Sequence, residues 1–200
     1  MNNYERMLDA ARMRCSGYDM ALLAAKPGVE DRGAYLRTSF FAQEVLIHKE
    51  TAAVTVDGRP ADFGEGLSVY DWLCDRKPGA AASGEYCLVS SLPGVVVSGS
   101  GLNMAMPKLA EKIHCNNVGF ISCMEAMGGE RICLGDLGYR LAIFPDFSMA
   151  LKFYFGDEEF QPELTLLWDK NALQFVRYET LYYIAGCLRS RLLRMMEETS

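Results

Sequence analysis

The chain has 200 residues, half of them apolar and 23% charged, with a net charge of -6 and a pI near 5.0. This is ordinary globular composition, at a length that buries a real core. The acidic balance argues against a nucleic-acid surface and against adsorption to anionic lipid, since both need clustered Lys and Arg.

No apolar run reaches the ~20 residues that a membrane span needs. The N-terminal stretch MNNYERMLDAARMR is charged and helical in pattern, without the apolar core and cleavage site of a secretory leader. A cytoplasmic location is expected. Seven cysteines (Cys15, Cys74, Cys87, Cys115, Cys123, Cys133 and Cys187) fit that expectation. Their number is odd, their spacing irregular, and several stand in apolar segments, as buried thiols in a reducing compartment do. No CxxC and no zinc or iron–sulfur spacing occurs.

In chain order, residues 3–14 read as a short helix with Tyr4, Met7, Leu8 and Ala11 on one face. Asp19 to Lys26 is a second helical piece, stopped by Pro27-Gly28. Strand-like runs follow at Ala34–Phe41, Gln43–Lys49 and Ala52–Val56, with a tight turn or bulge near Ala42 and a turn at Asp57-Gly58. Gly66 to Arg76 is helical, with Val69, Tyr70, Trp72 and Leu73 on its apolar face and Ser68 as the expected N-cap. Glu85–Ser90 is a short strand, Leu92-Pro93-Gly94 a turn, and Val95–Val97 a further strand or edge. Pro107–His114 is a helix with Pro in its first turn, and Val118–Ala126 reads as a helix.

The last third is the most legible. Tyr139–Phe144, Phe147–Phe155 and Pro162–Trp168 read as an antiparallel meander. In its middle strand Phe147, Met149, Leu151, Phe153 and Phe155 share one face; in the third, Leu164, Leu166 and Trp168 do. A long helix at about 178–196 carries Tyr178, Leu181, Ala185, Leu188, Leu192 and Met195 as a stripe expected to pack on the sheet. Arg189, Arg191 and Arg194 are expected to complement the end of its dipole. Grouped strands and grouped helices, with no convincing linker, predict a single α+β domain over residues 1–200.

The candidate site residues are Asp157, Glu158, Glu159 and Asp169. The first three follow Gly156 between two strands, and three adjacent carboxylates repel one another. A hard cation relieves that repulsion through oxygen ligands, and a carboxyl with a raised pKa serves as a general acid. The same run also reads as a solvated hairpin tip whose charge blunts a sheet edge. Asp169 separately reads as an N-cap or Asx-turn before Lys170–Leu173. The loop Ser98-Gly99-Ser100-Gly101 lacks the third glycine of a dinucleotide fingerprint, where Met104 stands, and no P-loop Lys follows. His114-Cys115 with Cys123 and Cys133 matches no standard metal spacing, and Ser90-Ser91 is not a hydrolase elbow. No motif specifies a cofactor.

The order of strand, Gly156-Asp157-Glu158-Glu159-Phe160, and a strand ending Leu167-Trp168-Asp169 resembles the family named domain of unknown function 3786. Leu92-Pro93-Gly94 after the strand at Glu85–Ser90, and the apolar helix Val69-Tyr70-Asp71-Trp72-Leu73, extend the resemblance over most of the chain. Departures are Gln161 where the family usually has Pro, Trp168 in place of Phe, and Ser90-Ser91 in place of a frequent Arg-Glu pair. The resemblance implies members typical of anaerobes, some joined to an iron–sulfur module of the corrinoid-protein kind, and no defined chemistry.

Three functions remain open on these grounds. The first is a non-catalytic accessory domain that binds a small molecule or protein partner; a large apolar pocket with few polar groups is its sign. The second is a metal-dependent enzyme using the carboxylates of the 157–159 turn, which requires them to converge in a concave site. The third is a structural, oligomer-forming protein with an exposed apolar patch.

Overall fold

The structure is a computed structural model, and it describes residues 3–95 and 106–198. The chain opens with α1 (Asn3–Ser16) and α2 (Met20–Ala24). Asp19 caps α2, accepting the Ala21 N–H at 2.9 Å. Next come β1 (Glu30–Arg32), β2 (Tyr35–Phe40), β3 (Gln43–His48), β4 (Val54–Val56) and β5 (Arg59–Pro60), an antiparallel sheet in sequence order. The three expected strands are present; β1 and β5 were not expected, because Glu-Asp-Arg and Arg-Pro carry no apolar alternation. The β2–β3 and β4–β5 turns have positive φ at each position: 49° and 63° at Phe41 and Ala42, 46° and 77° at Asp57 and Gly58. That geometry matches the twist of the flanking strands.

Helix α3 (Phe63–Asp75) starts earlier than the expected 66, and its N-cap is Asp62 rather than Ser68. Asp62 Oδ1 accepts the Glu65 N–H and Glu65 Oε2 accepts the Asp62 N–H, each at 2.9 Å, forming a reciprocal capping box. Ser68 lies inside the helix, its hydroxyl donating to the Gly64 carbonyl at 2.7 Å. Gly64 and Gly66 disguised this start as a loop, but close packing needs them. A Cβ at Gly64 would stand 2.9 Å from Cys187 Sγ, and one at Gly66 would stand 2.7 Å from Leu8 Cδ1.

Beyond α3, the expected strand at 85–90 shrinks to β6 (Tyr86–Cys87), and Val89–Ser91 form one turn of 3-10 helix. The expected strand at Val95–Val97 falls, from Val96 onward, outside the described residues, as does the whole loop Ser98–Gly101. The helices α4 (Pro107–Cys115) and α5 (Asn117–Ala126) are joined through Asn116, which caps α5 by accepting the Gly119 N–H at 2.9 Å. There follow β7 (Glu130–Ile132), β8 (Leu137–Phe144), β9 (Phe147–Tyr154), β10 (Glu163–Asp169), α6 (Ala172–Phe175) and α7 (Tyr178–Glu198). The second sheet runs β6-β10-β9-β8-β7, all antiparallel, so the fold is α+β with two sheets, the predicted meander and a long C-terminal helix.

The apolar face of β9 is buried at Phe147, Met149, Leu151 and Phe153. Phe155 lies past the strand end and is half-exposed, packed edge-on against Phe153. The stripe of α7 is Leu181, Ile184, Ala185, Leu188, Leu192 and Met196, and its principal neighbours are α3 and α5 rather than the sheet. Because α7 continues to Glu198, its arginines stand before the last turn. Arg191 donates to the Phe41 carbonyl instead, and the Phe41 N–H donates to the Ile143 carbonyl at 2.9 Å. The first sheet's hairpin tip is thereby wedged between β8 and α7. Nearby, Trp72 of α3 stacks on Phe144 with centroids 4.5 Å apart, and its indole donates to Asp146 at 3.1 Å.

Candidate functional site

The candidate residues lie in the turn that precedes β10 and at the far end of that strand. In the turn, Asp157 Oδ1 accepts the N–H groups of Glu159 and Phe160, both at 2.8 Å, and the Asp157 N–H donates to the Phe160 carbonyl at 2.9 Å. Those backbone donors stabilise the ionised form and hold the Asp157 carboxyl below its usual range. A general acid needs a shift in the opposite direction. Glu158 and Glu159 are exposed.

The C-terminal turn of α4 faces this tip. His114 Nδ1 accepts the Gly156 N–H at 3.3 Å, and Glu111, His114, Cys115, Asp157 and Glu158 line a shallow cleft of about 470 Å³. Two features separate in the sequence, His114-Cys115 and the acidic turn, thus meet in space. Among the described residues, no three His, Cys, Asp or Glu side chains are grouped so as to hold a metal ion.

Asp169 lies at the other end of β10, about 20 Å away at ~3.3 Å per residue. It is fully buried. Its Oδ1 accepts the Ser83 N–H and hydroxyl at 3.0 Å and the Asn171 N–H at 2.8 Å; its Oδ2 accepts the Gly84 N–H at 2.9 Å. The Asn171 contact is the expected Asx-turn. The Ser83-Gly84 contacts pin the loop before β6 to the end of β10. No single ion can be shared by Asp169 and the 157–159 turn, since oxygen ligands lie within about 2.6 Å of a hard cation.

Between these ends β10 has an open edge. Its partner β6 covers only Trp168 and Asp169, so Glu163 to Leu167 have no strand on that side among the described residues. A groove of about 330 Å³ runs along this edge, bounded by Leu88 and Val89 on one side and by Met106, Pro107 and Ala110 at the start of α4 on the other. The few polar groups around it include Lys152, Glu163 and Thr165. Trp168 forms part of its wall; the residue is fully buried and its Nε1–H has no hydrogen-bond partner among the described residues. An unpaired buried donor costs about 1–3 kcal/mol and calls for a reason. Sequence reading placed Trp168 on the core face and missed the groove.

The family described as Domain of unknown function (DUF3786) matches residues 19–191. The chain belongs to this family. The match takes in α3, both sheets, the acidic turn and most of α7, and begins after α1. No curated protein and no solved structure matches the chain. Among the described residues, no helix is long and apolar enough to cross a membrane.

Proposed function

We propose that this member of the family is a binding domain without chemistry of its own, and that its ligand lies in the groove along the open edge of β10. The apolar lining of that groove, with few polar groups around it, carries this reading. It suits an apolar ligand bearing an acidic or other hydrogen-bond-accepting group: the groove buries the apolar part, and Lys152 at its rim orients the acceptor. An accessory role beside corrinoid or iron–sulfur proteins rests on the family resemblance alone.

Anilinonaphthalene sulfonate, an apolar probe with an acceptor group, tests the groove. Its fluorescence should rise with the wild type, weaken about tenfold in affinity with Lys152→Ala, and be lost with Ala110→Trp, which fills the groove. Binding indifferent to both substitutions overturns the reading.

The meeting of His114 and Glu111 with the acidic turn favours a second reading, a cation held at Asp157 to Glu159. Melting midpoints in Mg²⁺, Ca²⁺ and Zn²⁺ test it. A rise in the wild type that vanishes in Glu158→Ala/Glu159→Ala supports it, and no rise in any cation removes it.

A further inference from the structure

We infer that the groove takes an extended peptide, which adds to β10 as a further strand of the second sheet; this rests on the groove being the ligand site and narrows its ligand. β6 pairs with β10 at Cys87 and Trp168 and at Tyr86 and Asp169, and the Lys170 N–H then donates to the Glu85 carbonyl at 2.9 Å. That bond fixes which residues of β10 turn their backbone groups toward this edge: Trp168, Leu166 and Leu164, at every second position. Beyond Cys87 the chain leaves the edge for the turn of 3-10 helix at Val89–Ser91. Among the described residues, no backbone partner meets the outward N–H and C=O groups of Leu164 and Leu166.

Such a row of donors and acceptors is matched by another extended backbone, and not by a lipid chain or a compact ring. Glu163 to Leu167 offer about 17 Å of edge at ~3.4 Å per residue, enough for a short strand. The walls of the groove decide which kind of strand. Leu88 and Val89 stand on one side, Met106, Pro107 and Ala110 on the other. A single chain fits between them, whereas a folded second copy would meet the walls before its own edge reached β10.

Paired residues of neighbouring strands share a face, so the side chains that pair with Leu164 and Leu166 lie on the buried face and meet the apolar wall. The residue between them pairs with Thr165, on the other face. Lys152 stands across the β9–β10 pair from Thr165 and lines the groove, its ammonium 5.2 Å from the centre of the Tyr154 ring. That charge favours a carboxylate at the middle position. The partner is therefore a segment that alternates apolar and polar residues, with Asp or Glu between two apolar ones.

The end-blocked peptide Thr-Val-Glu-Val-Thr, added to the full-length protein, tests this by hydrogen exchange at single amides. The Leu164 and Leu166 amides should exchange fast in the protein alone and slow about tenfold with saturating peptide, while Thr165, bonded toward β9, should change little. The same peptide methylated on its two valine nitrogens keeps every side chain but loses the donors that face β10. It should bind about tenfold more weakly or not at all. Equal binding of the methylated peptide, slow exchange of Leu164 and Leu166 in the protein alone, or no binding of the parent peptide overturns the added strand. If anilinonaphthalene sulfonate binds and is displaced by Ala110→Trp while the peptide fails, the strand alone is withdrawn. If both fail, the groove reading falls with it.

Discussion

Asp157 and Asp169 accept backbone N–H groups in similar ways but in opposite settings. Asp157 faces solvent and organises four residues of its own turn; Asp169 is sealed from water and ties together chain segments 86 residues apart. Removing the second carboxylate strands the Ser83, Gly84 and Asn171 donors in a dry site. Asp169→Ala should therefore cost about 3 kcal/mol in urea unfolding, with Asp169→Asn intermediate because the amide keeps one acceptor. The Asx-turn at Asp169 was legible, since it involves only neighbours in sequence. The Ser83-Gly84 staple was not, because nothing in a loop of Ala, Ser and Gly marks which distant carboxylate it will meet. The acidic turn was legible as a turn, and the family resemblance rested on it. Its approach to His114 depended on how α4 packs on β10, which no local pattern records.

Among the elements, strands with clean alternation were placed to within a residue or two, and those without it were missed. Helix α3 was found from its apolar face but mis-started, since Asp62 to Glu65 is a capping signature that holds Gly64 and is followed by Gly66, and the two glycines mimic a break. Burial pushes Glu65 up, but the Arg59 guanidinium and the Asp62 N–H outweigh it and hold the carboxyl below the ordinary 4.5. The folded pKa is depressed, so the stability Glu65 contributes is complete above pH 4.5 and is lost as pH falls through the folded value. Glu65→Gln should cost about 1 kcal/mol at pH 7 and flatten the acid limb of stability below pH 4.5, as read from urea midpoints at a series of pH values. The β2–β3 turn offers the reverse case. Ala42 is exposed, and its φ of 63° strains any side chain bearing a Cβ. Ala42→Gly should raise stability by about 1 kcal/mol in the same assay, since the relieved strain exceeds the extra freedom of the unfolded chain.

Across the whole molecule, the buried residues of both sheets and of α3 and α7 form one continuous apolar cluster. Phe40, Phe144 and Trp72 link the two sheets through α3 at ring spacings of 5.1 and 4.5 Å. One cooperative transition should follow, with near-ultraviolet and far-ultraviolet dichroism melting together; separated transitions would show two independent domains. Two successive runs of strands and helix were visible in the sequence. The pairing between them was not, because Phe41 is secured by Ile143 and by Arg191, 150 residues further on.

That last contact sets an order of events during synthesis. The tip of the first hairpin turns through two positive-φ residues, neither of them glycine. Its supports are a carbonyl in the second sheet and a guanidinium near the end of α7. While the ribosome is still making the second half, the first sheet therefore has a bent tip with Phe41 exposed and nothing to hold it. The hairpin tip is expected to gain its native support only after the segment containing Arg191 has emerged.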